Sequence, residues 1–103
     1  MTIDIEAEHP AWIAEVIVIP KPGVNDPQGE AIRGGLGSLG YAQVDTVRSG
    51  RFFRLEFTAA DESKANTQAT EMCDRLLANP VIETFSVTVR RASFSVTDDR
   101  IGE

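Results

Sequence analysis

Two residue types on which enzyme chemistry often rests are nearly missing from this chain. Its 103 residues include one cysteine, Cys73, and one histidine, His9. A single cysteine excludes an internal disulfide and any multi-cysteine metal site. A single histidine, set in a polar stretch before Pro10, leaves no means of building a Ser-His-acid arrangement or a histidine-rich metal centre. Positive charge is scarce as well: 10 Lys and Arg against 16 Asp and Glu give a net charge of −6. Nucleic-acid binding needs cations to neutralise phosphates, so the balance argues against that class. No apolar run approaches the ~20 residues of a membrane-crossing helix, and Val16–Ile19 is only strand-sized. The opening Met-Thr-Ile-Asp-Ile-Glu lacks the basic and apolar regions of a signal peptide. A reduced, cytoplasmic location is expected.

What is present is an ordinary globular composition, 42% hydrophobic and 25% charged, at a length that suits one domain. The acidic, polar stretch 1–11 reads as a mobile arm, 12–91 as the folded domain, and 92–103 as a tail in which Phe94 and Val96 suggest a short extra strand. Trp12–Ile19 is rich in Val and Ile and apolar on nearly both faces, so it is expected centrally in a sheet. Pro20-Lys21-Pro22-Gly23 ends it. Asp26 is a good helix N-cap and Pro27 suits the first helical position; the helix runs to Leu39 with Ile32, Leu36 and Leu39 at helical spacing and Gly40 as its C-terminal cap.

Gln43–Arg48 and Arg51–Thr58 read as two strands joined by a Ser49-Gly50 hairpin turn. In the second, Phe53, Leu55 and Phe57 alternate with polar residues. Asp61 or Ser63 caps a second helix reaching about Ala78, with Ala65, Ala69, Met72 and Leu76 as its apolar stripe and Cys73 and Leu77 broadening it. Asn79-Pro80 stops that helix, and Thr84–Arg90 is the last strand, with Phe85, Val87 and Val89 inward. The order β-α-β-β-α-β predicts an α+β two-layer sandwich of ferredoxin-like type, an antiparallel sheet with two helices on one face.

The search for chemistry yields contact residues rather than catalysts. Cys73 lies on the apolar helix face with nothing nearby to lower its pKa, which suits a buried structural thiol. Gly34-Gly35-Leu36-Gly37 lies inside a helix and matches neither phosphate-loop pattern, so close helix packing explains it better. Asp26-Pro27-Gln28-Gly29 reads as a capped helix start whose free N–H groups could meet a partner. Arg48, Arg51 and Arg54 cluster around the hairpin, where arginines either keep a sheet soluble or anchor an interface.

Several of these pieces, in order, carry a family resemblance. They are the Val/Ile strand ending in Pro20-Lys21-Pro22-Gly23-Val24, then Asp26-Pro27-Gln28-Gly29 with Ala31-Ile32, Leu39-Gly40-Tyr41, Val47-Arg48-Ser49-Gly50-Arg51, and Met72 to Glu83. Together, over about Ala14–Val89, they resemble the PurS family, the small subunit of phosphoribosylformylglycinamidine synthase. The resemblance implies a PurS-like domain over 12–91 and a non-catalytic subunit of an ATP-dependent, glutamine-using carbon–nitrogen ligase of purine biosynthesis. It implies two partners, the synthetase subunit PurL and the glutaminase subunit PurQ, which this chain would bridge while supporting ammonia transfer, and a homodimer or higher homo-oligomer. It implies no catalytic residue and no cofactor in this chain, ATP and magnesium being used by the synthetase partner. The interface expected on this reading comprises Asp26, Pro27, Gln28, Gly29, Arg48, Gly50, Arg51, Asn79 and Pro80. The alternative is an ACT-like regulatory domain that binds a small metabolite, since it shares the element order.

Overall fold

The computed structural model describes residues 9–92; residues 1–8 of the expected arm over 1–11 and the Phe94–Val96 strand lie outside them, while Ala11 belongs to the first strand. The elements are β1 (Ala11–Pro20), α1 (Pro27–Ser38), β2 (Arg51–Thr58), α2 (Glu62–Met72) and β3 (Glu83–Arg91). A wide five-residue turn, Cys73–Leu77, prolongs α2, closed by the Ala78 N–H on the Cys73 carbonyl at 3.0 Å.

β1 is the centre of an antiparallel sheet ordered β2-β1-β3. Its apolar character on both faces is what a central strand requires. Trp12, Ala14, Val16 and Val18 all point to one side and are buried. Across from them stand Phe57, Leu55 and Phe53 of β2 and Val89, Val87 and Phe85 of β3. α2 covers this side through small residues: Ala65, Ala69 and Cys73, at i, i+4 and i+8, are fully buried. Small side chains let the helix axis lie close over the β-branched and aromatic residues beneath it. The Trp12 indole N–H is satisfied inside the core by the Ala59 carbonyl at 3.0 Å, as a buried polar tip requires.

The class is the expected ferredoxin-like α+β one, with three antiparallel strands and two helices among the described residues. Two details differ from the sequence reading. Gln43–Arg48 forms no strand, and the Ser49-Gly50 hairpin is not made. The Ser49 N–H is instead held by the Asp26 carboxylate at 2.9 Å. A Cβ on Gly50 would collide with the Val18 carbonyl and lie 2.9 Å from Ile19 Cγ2, so this glycine serves a close approach to β1 rather than a turn. The second difference concerns α1. Only α2 of the two helices packs on the sheet. α1 starts as expected, with Asp26 accepting from the Gly29 N–H at 3.1 Å and Pro27 at the first position. It ends in a Schellman motif: Tyr41 N–H to the Leu36 carbonyl at 2.9 Å and Gly40 N–H to the Gly37 carbonyl at 3.0 Å, with Gly40 at φ 102°. Between these caps its apolar residues face away from the core. Ile32 and Leu39 are exposed, the latter at 73%.

The shape follows from that placement. The long axis measures 61 Å and the radius of gyration is 18.0 Å, where a compact chain of 100 residues would have about 13 Å. A ten-residue strand and a twelve-residue helix span about 33 Å and 18 Å. Their sum approaches the long axis only if α1 continues outward beyond the end of β1. α1 and the returning segment 39–48 therefore form a limb, joined to the sheet at one end.

Candidate functional site

The nine residues expected at an interface converge on the joint between limb and sheet. β1 ends there, β2 and β3 begin there, and α1 departs from it. Two hydrogen-bonded knots hold it. In the first, Asp26 uses both carboxylate oxygens, one on the Gly29 N–H at 3.1 Å and the other on the Ser49 N–H at 2.9 Å. Ser49 Oγ donates to Gln28 Oε1 at 2.8 Å. Gly29 is buried, and a Cβ there would collide with the Val47 carbonyl and the Asp26 carboxylate. One acidic side chain thus caps α1 and pins the chain that returns from it.

The second knot centres on Arg51. Its guanidinium takes Glu83 in a fork, Nη1 to Oε2 at 3.1 Å and Nη2 to Oε1 at 3.0 Å. Nη2 also donates to the Leu77 carbonyl at 2.9 Å, an acceptor near the C-terminal end of the helical run, where carbonyls lack intrahelical donors. The same guanidinium lies 5.9 Å from the Phe53 ring centroid. Glu83 Oε1 accepts from the Asn79 N–H at 2.7 Å, and Asn79 Oδ1 accepts from the Val81 N–H at 3.1 Å. The Asn79 N–H and the Arg51 fork hold the Glu83 carboxyl below the ordinary glutamate range. The Lys21 N–H on the Ile82 carbonyl at 2.8 Å ties the end of β1 to the same turn.

Of the nine, Asp26, Gln28, Gly29, Gly50, Arg51 and Asn79 thus hold the joint itself. Pro27, Arg48 and Pro80 are exposed on it. Arg48 lines a cleft of about 410 Å³ between Pro20–Asp26 and Thr46–Arg48. Glu83 and Ser49 were not among the expected residues. A Glu following a Pro-containing turn carries no signal of its own; its role appears only when the sheet sets β3 beside β2's start.

A second surface was also missed. A groove of about 480 Å³ runs beside α2, lined by Leu55, Gln68, Glu71, Met72, Arg75, Leu76 and Leu77. Met72 and Leu76 were expected inward, but the buried positions are Ala65, Ala69 and Cys73, and Leu76 is 82% exposed. The larger residues sit one position round the helix, on the groove side.

No group of three or more His, Cys, Asp or Glu side chains that could hold a metal occurs among the described residues. Burial, with the Asp74 carboxylate beside it, pushes the Cys73 thiol up from its ordinary value, the opposite of what a nucleophile requires. No helix among the described residues is long and apolar enough to cross a membrane. The joint and the groove offer contact chemistry.

The model of the family PurS, phosphoribosylformylglycinamidine (FGAM) synthase, matches residues 13–91. The chain belongs to the PurS family. It is 42% identical over 87 residues to the phosphoribosylformylglycinamidine synthase subunit PurS of Synechocystis, covering 84% of this chain and 87% of that one. The PurS structure from Thermus thermophilus superposes with a TM-score of 0.73 at 34% identity, over 82% of this chain and 100% of that chain. A chain of the PurLQS structure from Thermotoga maritima gives 0.71 at 31% identity, over 79% and 99%. The family places this chain among the subunits of a glutamine-using, ATP-dependent ligase of purine biosynthesis, and the ACT-like alternative is not favoured. The matched region begins and ends within the sheet, so it contains both knots and the groove.

Proposed function

We propose that this PurS chain is the non-catalytic subunit that bridges a PurL synthetase and a PurQ glutaminase, acting as a homo-oligomer in the cytoplasm. The observation that carries the reading is the likeness to a chain of the PurLQS structure over 79% of the sequence. The chemistry agrees with it. Ammonia released in water is protonated and loses its nucleophilicity, so a shielded passage between two subunits is useful. A small sheet-and-helix module can wall such a passage without supplying a base. ATP, magnesium and the reacting groups belong, on this reading, to the partners.

The joint is the proposed contact region. The Arg51–Glu83 and Asp26–Ser49 knots fix its shape, and Arg48, Pro27 and the Asn79-Pro80 turn are displayed on it. Arg48 has no ion pair among the described residues, so its guanidinium is open to a partner's carboxylate or carbonyl.

Reconstitution tests the proposal. The chain is mixed with purified PurL and PurQ, and amidine formation is followed with glutamine and, separately, with ammonia. Glutamine-driven turnover should require this chain while ammonia-driven turnover should not. Equal glutamine-driven turnover without it, with no complex on gel filtration, would reject the bridging role. Arg48→Ala should weaken complex formation about tenfold and leave the fold unchanged; normal assembly would move the contact elsewhere on the joint.

A further inference from the structure

The cleft at the joint brings together two cations, Lys21 and Arg48, that have no ion pair among the described residues. Lys21 lies on the wall that leaves β1, and Arg48 on the wall that returns from α1. Most other cations are engaged. Arg51, Arg54 and Arg90 pair with Glu83, Glu56 and Glu15, and Arg33 pairs with Glu30. Arg91 lies over the Trp12 ring. Among the described residues only Lys64 and Arg75 are similarly unpaired, and they lie singly on α2 and the turn after it. The two carboxylates that line the cleft do not serve Lys21 or Arg48. Asp26 accepts from the Gly29 and Ser49 N–H groups, and Glu30 holds Arg33 at 3.3 Å.

We infer that this cleft receives an extended segment of a partner subunit, whose carboxylate pairs with Lys21 and Arg48 while an apolar neighbour rests on the proline wall. The inference rests on the bridging role proposed above and goes further: it adds Lys21 to the contact and states the chemistry of what binds. Charge alone would suit a free phosphate as well. The lining decides between them. Pro20, Pro22, Val24 and Val47 set apolar surface beside the two cations, which a protein segment uses and a phosphate does not. The net charge of −6 also repels a free polyanion at a distance, so a carboxylate is held here only by close local pairing.

Size and stiffness agree. At about 410 Å³ the cleft is at the small end of sites that hold a ligand, about 300–1,000 Å³. It suits a few side chains of an extended segment rather than a helix. Both walls are fixed before anything binds. Pro20 and Pro22 lock the backbone of one. The same wall is tied by the Lys21 N–H on the Ile82 carbonyl at 2.8 Å and the Val24 N–H on the Lys21 carbonyl at 3.1 Å. On the other wall, Asp26 pins Ser49, the neighbour of Arg48. A cleft already in shape loses little freedom on binding. Arg48 is exposed and offers a planar fork that matches a carboxylate. Lys21 is half-buried, so less side-chain freedom remains for it to lose.

The experiment measures binding of purified PurL and PurQ to the immobilised chain by interferometry. Circular dichroism checks folding, and ultracentrifugation checks self-association. Lys21→Glu and Arg48→Glu each set a like charge against the incoming carboxylate and should raise the dissociation constant about 30-fold or more. Lys21→Gln, the milder change, should raise it about three- to tenfold. Lys64→Glu alters net charge as much but lies on α2, outside the cleft; it should leave binding within about twofold. Added salt should weaken the wild type more than a Lys21→Gln/Arg48→Gln double variant. Wild-type affinity in both charge-reversal variants overturns the docking while leaving a bridging role through another surface. An equal loss in Lys64→Glu assigns the effect to overall charge and overturns it too. So does a loss of self-association with partner binding intact. If inorganic phosphate raises the melting temperature of the wild type and the variants still bind the partners, the cleft is a small-anion site and the docking fails. A wild type that binds neither subunit overturns both the docking and the bridging role.

Discussion

The two helices of this chain have opposite fates, and not the ones their residues suggest. α1 carries the larger apolar side chains, Ile32, Leu36 and Leu39, yet it stands off the sheet. α2 buries only Ala65 and Ala69, with Cys73 in the turn that follows, yet it forms the core. Hydrophobic content does not decide which helix is inside. Connection geometry does: α2 returns from β2 to β3 across the face of β1, whereas α1 leaves at a joint whose hydrogen bonds aim it outward. The contrast shows that large apolar residues can be left outward on α1, while small ones on α2 permit close packing within the chain.

The largest effect should come from the packed half. Trp12 is buried and its indole is hydrogen-bonded to Ala59, so Trp12→Ala should lower unfolding free energy by about 3–5 kcal/mol, measured by urea denaturation. The joint comes next. Asp26→Ala strands the Gly29 and Ser49 N–H groups and should cost about 1–2 kcal/mol. Hydrogen exchange should show the loss concentrated at residues 27–50; an even loss across the sheet would mean that limb and sheet unfold as one unit.

A smaller effect involves acid. Because the folded Glu83 carboxyl titrates below its ordinary range, its contribution is present above the unfolded glutamate pKa, near 4.3. It is lost as pH falls through the lower folded value. Glu83→Gln should therefore flatten the acid limb of stability against pH and leave the neutral-to-alkaline limb parallel to wild type. The least effect on the chain itself belongs to the limb: Ile32→Gln should change monomer stability by less than about 0.5 kcal/mol, read in dilute denaturation where chains are dissociated. A larger change would mean that α1 packs within its own chain after all.

The sequence was informative where local chemistry decides structure. β1's two apolar faces marked it as central; Asp26-Pro27 and Gly40 marked both ends of α1; the alternation of Phe53, Leu55 and Phe57 marked β2. It was misleading where a tertiary choice decides. Gln43–Arg48 offers only Val44 and Val47 as large apolar residues, at a spacing that does not alternate, and the Ser49 N–H found a carboxylate 23 residues back in place of a hairpin partner. On α2 the 3.6-residue period admits two adjacent stripes, and only contact with the sheet chooses Ala65-Ala69-Cys73 over Met72-Leu76. Of the candidate site, the sequence named nine residues that the structure brings to one joint, but their roles in two knots depended on Glu83 and Ser49, which become visible only when the sheet aligns the starts of β2 and β3.

The single tryptophan and single tyrosine fall on opposite sides of this division. Trp12 lies in the packed half, beneath the Arg91 guanidinium at 5.5 Å from its ring, and Tyr41 is half exposed just past the cap of α1. The molecule thus carries one native fluorophore per half, and excitation at the long-wavelength edge reaches only the one in the sheet. The tryptophan, which absorbs at longer wavelengths than any tyrosine, can be excited alone, so unfolding of the sheet can be watched without a label anywhere in the chain.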